Sequence, residues 1–344
     1  MRSNVSEKTL VDCMDRRSIL YLAVGASVLT GCEEQDVKNE GEIRSDTMKR
    51  SPNGFTTRPS PVDIESNYPE LAPLRRTAVR LHPRKKSDLP VDSSKIGGVF
   101  FANDPAEWPF CRTHKTHHIG ILQLTKYDVP ELGFPDGCDI FQLTFCPFDH
   151  DDVYCPDVSG RWLSLSDDHI QQSSNPSFEE PEYKYIPNEC AIHPERVEDY
   201  PQMDELPEDL QARIGADRSL VGPVEEWLER PDDEWAPETA YSYFLSAADG
   251  TKVGGNVNWI QVPQSSRCPK CSGWTEDLLT IASWEWDGGT FHRWKPIEDC
   301  PQGVAVSSDG ADDHGMMFGD AGAIYVGVCR KCEGFPIART FQCS

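Results

Sequence analysis

Lys95-Ile96-Gly97-Gly98 returns 157 residues later as Lys252-Val253-Gly254-Gly255, and at the same offset Cys111 and His114 fall on Cys268 and Cys271. The apolar run Ile121-Leu122-Gln123-Leu124 then falls on Leu278-Leu279-Thr280-Ile281 without a gap. A second block, Ile140 to Cys146, pairs by pattern with Ala323 to Cys329 after an insertion in the later copy. Glycines, metal-type ligands and apolar runs held in register point to an internal duplication. Each copy is expected to run Gly-Gly turn, ligand pair, apolar strand, turn, apolar strand, further ligand.

The stretches around these anchors are short and sheet-forming. Strands are expected over Gly97 to Phe101, Ile119 to Leu124, Ile140 to Phe145 and Arg161 to Leu165, with Phe141, Leu143 and Phe145 on one face of the third. Between the copies, about 94–165 and 251–344, lies an acidic, proline-rich connector, 176–246. Helices are expected there near Leu206 to Ile214, opened by Pro207 and closed by Gly215, and near Val224 to Leu228. Its aromatic residues Trp227, Trp235, Tyr241, Tyr243 and Phe244 suggest that it packs on the body. The fold class that follows is α+β, mostly β: a duplicated antiparallel sheet domain over 62–344 with CxxC knuckles and short helices.

The ligand pairs carry the chemistry. Cys268-Pro269-Lys270-Cys271 and Cys329-Arg330-Lys331-Cys332 each place two thiols three positions apart in a turn, and Lys270, Arg330 and Lys331 would offset a tetrathiolate. Joined, they make a closed tetrahedral site of the structural zinc type. Pairing between the strands preceding each knuckle has to close the 57 residues between Cys271 and Cys329. Redox pairs and disulfides are the rival readings. The earlier copy offers Cys111, His114, Cys146 and His150 as a Cys2His2 site, with His150 one place later than the template and Asp149 in the matching place. His117, His118 and Cys155 compete as ligands, while Cys138, Cys190, Cys300 and Cys343 match no motif and default to buried thiols.

At the N-terminus, Arg16-Arg17 precedes a short apolar core and Leu29-Thr30-Gly31-Cys32, similar to a twin-arginine export signal ending in a lipobox. The core is too short to span a bilayer, so residues 1–32 read as a signal with Cys32 as the lipidation site, and 33–61 as a flexible polar tether. Export as a membrane-anchored lipoprotein is the expectation, with Met14 an alternative start and a cytosolic protein the rival. A net charge of −24 supplies no basic face for a nucleic acid, so a protein partner of basic character is expected instead.

Gly97-Gly98, Glu107-Trp108-Pro109, Phe141-Gln142-Leu143, Trp259-Ile260-Gln261 and Gly319-Asp320-Ala321-Gly322 occur in an order that resembles the YwqG-like proteins, a bacterial domain of unknown function. The stretches from Cys146 to Asp151 and from Ile281 to Gly289 resemble a cysteine-bearing branch of that family, over about Leu71 to Cys343. The resemblance implies a mostly β body with an internal duplication and brings no catalytic residues. The paired strand-and-CxxC layout also resembles, more weakly, the programmed-cell-death-two family of ribosomal-protein chaperones.

No GxSxG, HExxH, P-loop or dinucleotide glycine pattern is present. Asp149-His150-Asp151-Asp152 and Asp312-Asp313-His314 are the remaining candidates for a hydrolytic metal. The preferred expectation is a non-catalytic, zinc-stapled protein-binding module. A chaperone-like or immunity-type cytosolic protein and a metal-dependent hydrolase are the alternatives.

Overall fold

A computed structural model describes residues 54–102, 108–150, 154–165, 171–173 (backbone only), 185–300 and 307–344. The leader with Cys32, the tether up to residue 53, and Asp151 and Asp152 lie outside the described residues. In chain order the first strands are β1 (Arg76–Arg80), β2 (Arg84–Lys85), β3 (Lys95–Ile96), β4 (Phe100–Ala102), β5 (Phe110–Cys111), β6 (Thr116–His117), β7 (Ile119–Thr125), β8 (Ile140–His150), β9 (Cys155–Leu163) and β10 (Gln171–Ser173). They are followed by β11 (Cys190–Ala191), β12 (Glu195–Asp199), β13 (Lys252–Gly254), β14 (Glu276–Ala282), β15 (Ala323–Val328) and β16 (Ile337–Gln342). The protein is therefore α+β and mostly β, with antiparallel sheets and short helices.

Two six-stranded sheets carry the fold, in the orders β2-β11-β3-β7-β8-β9 and β12-β1-β13-β14-β15-β16. Each ends in a four-strand meander, and the two orders correspond strand for strand. The meander of the earlier sheet is completed by β11 from the connector, and that of the later sheet by β1 from the chain's start. Local details repeat too. Lys95 and Ile96 pair with Gln123 and Leu122, and Lys252 and Val253 pair with Thr280 and Leu279. The ladder β7·β8 shifts register between Gly120 and Leu122, and β14·β15 does so between Asp277 and Leu279. Each short strand then stops in a glycine pair at positive φ: 62° and 74° at Gly97 and Gly98, 62° and 72° at Gly254 and Gly255. Glycine enters that region without the steric penalty a Cβ brings, and two in succession end the strand in both places.

The sheets face one another across one apolar core. Leu122, Phe141, Leu143 and Phe145 meet Val253, Leu279, Ile324 and Val326 there, all buried. Each such side chain removed from water contributes roughly 1.5–3 kcal/mol, so this shared interior is what joins the halves. The expected face of β8 is the one that enters this core. Its other face is buried as well: Gln142 Nε2 donates to Phe101 O and to Gln123 Oε1, at 2.7 and 2.8 Å.

Several expected boundaries shift. The run Gly97 to Phe101 is not one strand, because the glycine turn divides β3 from β4, and β4 pairs with β10 in a separate ribbon. The helix expected near Leu206 runs from Glu208 to Ala216, passing Gly215, after Pro207 at its N-cap. Near Val224 the chain forms a 3-10 turn, Gly222–Trp227, with Pro223 in its first turn. The connector also supplies β11 and β12. Its helical part has a core of its own, with Leu210, Ile214, Tyr241 and Phe244 buried and Trp227 against Phe244. Trp235 departs from the expectation and is 55% exposed. Residues 54–58, placed in the tether by composition, are docked: Thr57 donates to Glu195 from its N and Oγ1, at 2.7 and 2.6 Å.

Candidate metal centres

Cys268 and Cys271 stand in a turn ahead of β14, and Cys329 and Cys332 in a turn behind β15. The first knuckle thus precedes its strand, as in the expected order of ligand pair then apolar strand, so the pairing that closes the gap involves the strand after the first knuckle and the strand before the second, rather than strands preceding both. Antiparallel pairing of Glu276 with Val328 brings the two turns to the same end of the sheet and closes the long sequence gap. Backbone bonds shape the first turn: Cys268 N donates to Gly273 O and Ser272 N to Cys268 O, at 2.8 and 2.9 Å. Lys270 N points at Cys268 Sγ, 3.3 Å away.

Cys268 Sγ lies 3.9 Å from Cys332 Sγ, and Cys271 Sγ lies 3.8 Å from Cys329 Sγ. A tetrahedron with metal–sulfur bonds of about 2.3 Å has edges of about 3.8 Å. A disulfide would need about 2.0 Å, and all four thiols are free. Although burial pushes the Cys268 thiol up, the amide donors of Cys271 and Lys270 outweigh it and bring the thiol down to about 7. Hydrogen bonding with Cys271, with some burial, pushes Cys332 up to about 12. Metal binding displaces the protons of such thiols. Of the three expected countercharges, Lys270 donates to Glu333 O, and Arg330 binds the Gly133 and Leu132 carbonyls and Glu276. Lys331 is exposed.

The earlier copy assembles the four residues chosen from sequence. Cys111 Sγ is 3.7 Å from His114 Nδ1 and 3.5 Å from His150 Nε2, and His114 Nδ1 is 3.2 Å from Cys146 Sγ. The out-of-place histidine has a physical reason. β8 continues to His150 through an irregularity in its pairing with β9 between Phe145 and Asp149, and Cys146, Phe148 and His150, two residues apart, all reach the His114 side. Phe148 and His150 both meet the His114 ring there, at centroid distances of 5.1 and 4.6 Å. Asp149 faces the other way and accepts from the Tyr185 hydroxyl. In each cluster the four ligand atoms lie within 4.8 Å of one another, close enough to hold a metal ion.

The competing ligands go elsewhere. His117 is exposed, His118 meets the Thr144 hydroxyl at 3.2 Å, and Cys155 is in the core. Asp312, Asp313 and His314 do not converge: Asp313 accepts from Lys85 N, while His314 is buried 3.7 Å from Glu285. Among the described residues no other group of histidine, cysteine and carboxylate ligands gathers as these two do. Cys190 is buried, whereas Cys138, Cys300 and Cys343 are partly exposed, against the default reading.

Sequence reading missed a buried ionic seam. Lys252 Nζ reaches Asp199 Oδ2 at 3.2 Å and Asn256 O at 2.6 Å, and Lys95 Nζ reaches Pro90 O at 2.9 Å. Beside it Arg80 donates to Thr57, and Glu195 meets His82 Nε2 at 2.7 Å. The signal was a lysine ahead of the Gly-Gly pair in both copies.

No protein-family model and no curated protein matches the chain. No helix among the described residues is long and apolar enough to cross a membrane.

Proposed function

We propose that the protein is a zinc-stapled, non-catalytic binding module of the YwqG-like kind, its two sheets descended from one duplicated half. The supporting observation is the same position of both ligand clusters, each at the end of a meander where two strand-terminal segments must be held together. Four protein ligands close a tetrahedron and leave no coordination position for water, which suits a structural ion. Zinc fits the donor set, since thiolate and imidazole suit it better than carboxylate-seeking cations. Within this reading the export signal and Cys32 tether the module to a membrane surface, where it presents itself to a protein partner.

Elemental analysis of the purified chain, with thiol counting before and after chelation, tests the reading. About two zinc ions per chain are expected, with six thiols protected until the metal is removed. Oxidised pairs without metal, or metal-dependent turnover of phosphoester or peptide substrates, would overturn it. Detergent-phase partitioning lost in Cys32→Ala tests the anchor separately.

A further inference from the structure

The helical layer carries a feature that the metal centres do not use. The helices Glu208–Ala216 and Ala236–Ala240 pack on each other and leave a groove of about 510 Å³. Met203, Ala212, Gly215 and Ala216 give it apolar lining, and Asp204, Glu208, Glu234 and Glu238 line it as well. Trp235 forms a wall and keeps more than half of its surface in water. An indole left exposed against a concave, carboxylate-lined surface matches the recognition of an ammonium or guanidinium group, whose charge is drawn to the ring face. The walls contribute no cation. Two of the three arginines of the same layer are engaged outside the groove. Arg213 pairs with Glu70 and lies over the Tyr68 ring, and Arg218 donates to the Pro231 and Asp233 carbonyls. Over residues 204–238, twelve carboxylates face three arginines, so the local field adds to the attraction.

We propose that this groove docks an extended, lysine- or arginine-bearing peptide segment of a partner protein, one cationic side chain entering beside Trp235 while the lining carboxylates hold its neighbours. The proposal rests on the binding-module reading and gives the partner a chemistry. The apolar lining accommodates the aliphatic stem of the entering side chain, and the charged head stays by the carboxylates.

The test uses the full chain and a fluorescent decapeptide of alternating lysine and glycine, with a glutamate-glycine twin, read by anisotropy at low and high salt. The lysine peptide is expected to bind and the twin not to. Glu208→Gln, Glu234→Gln and Glu238→Gln together are expected to weaken binding about tenfold or more, and Trp235→Ala about threefold to tenfold, the range of a cation–ring contact. A control removes the same charge elsewhere, through Asp92→Asn, Asp136→Asn and Glu333→Gln, and is expected to change affinity less than about twofold, the residue of a screened long-range field. Equal losses in both triple variants would reduce the effect to the overall charge and overturn the groove. Absence of binding, equal binding of the glutamate twin, or tighter binding of a leucine-glycine peptide would overturn it too. Zinc content and the circular-dichroism spectrum of every variant are recorded alongside. A groove that fails while two zinc ions remain leaves the stapled-module reading standing, and loss of the ions sinks that reading without touching the groove.

Discussion

The two ligand clusters occupy the same place in their sheets but are built by different backbones. In the later cluster both pairs lie in turns, where a spacing of three positions converges two sulfurs, and Cys271 is exposed. In the earlier cluster one pair lies on β8, where convergence needs residues on one strand face, and both cysteines are buried. Ligand spacing is therefore a consequence of local secondary structure. A turn demands the CxxC interval, and a strand accepts an even one.

The largest effect expected from this contrast is at the later cluster. Cys329→Ser should empty that site, leave about one zinc per chain, and lower the melting temperature by more than about 10 °C, because structural zinc supplies folding free energy of order 10 kcal/mol. Calorimetry with elemental analysis reads both quantities, and an unchanged melting point would show that the sulfurs do not clamp the sheet. The strand-face argument is sharpened next. His150→Ala should release the earlier ion while Asp149→Ala keeps it, so metal lost from the Asp149 variant instead would break the comparison.

A smaller effect separates the glycine turns. A Cβ on Gly255 would stand 2.5 Å from Ala78 Cβ and 2.7 Å from Asp199 Oδ2, both fixed in the interior. On Gly98 it would meet the Glu189 side chain, which can swing away. Gly255→Ala should therefore cost about 3 kcal/mol or more and Gly98→Ala about 1–2 kcal/mol, strain at positive φ being common to both. Denaturant titration of the two variants gives the order, and equal costs would remove this difference between the halves.

The smallest effect concerns two buried histidines, His82 and His314. Burial holds His82 and His314 down to about 4, so each stays neutral in the fold while the unfolded chain takes a proton near 6.5. Their stabilisation is whole above about pH 6.5 and is lost as pH falls toward 4. Glu285, pushed up to about 7 by burial, acts in the opposite sense, losing stability as pH rises toward 7. Two groups against one leave a net loss of a few degrees in melting temperature from pH 7 to pH 5.5. His314→Gln should flatten that slope, and a slope unchanged in the variant would assign it to other groups.

Much of the architecture was legible in the sequence because the two matching stretches share backbone geometry as well as composition. The Gly-Gly pairs mark equal φ angles, and the constant offset survives as strand register. The four later cysteines were legible as two CxxC pairs, and Cys111 and His114 through the constant offset, whereas Cys146 and His150 were found by pattern outside that register. The strand exchange was not, since β2, β3 and β11 are two residues long and β11 has no periodicity to read. Nor was the ionic seam: Asn256 and Pro90 are close in sequence to the lysines they bind, but the countercharge of Lys252, Asp199, comes from a segment 53 residues away.

The strand exchange sets a timetable for the nascent chain. β1 leaves the ribosome early among the described residues, yet its neighbours β12 and β13 are made only after the whole earlier meander. That meander in turn waits for β11 to cover β3. Neither sheet can close while synthesis is at its midpoint, so both edges stay open until the second half emerges, and a delay between the halves leaves unpaired strands available to other chains.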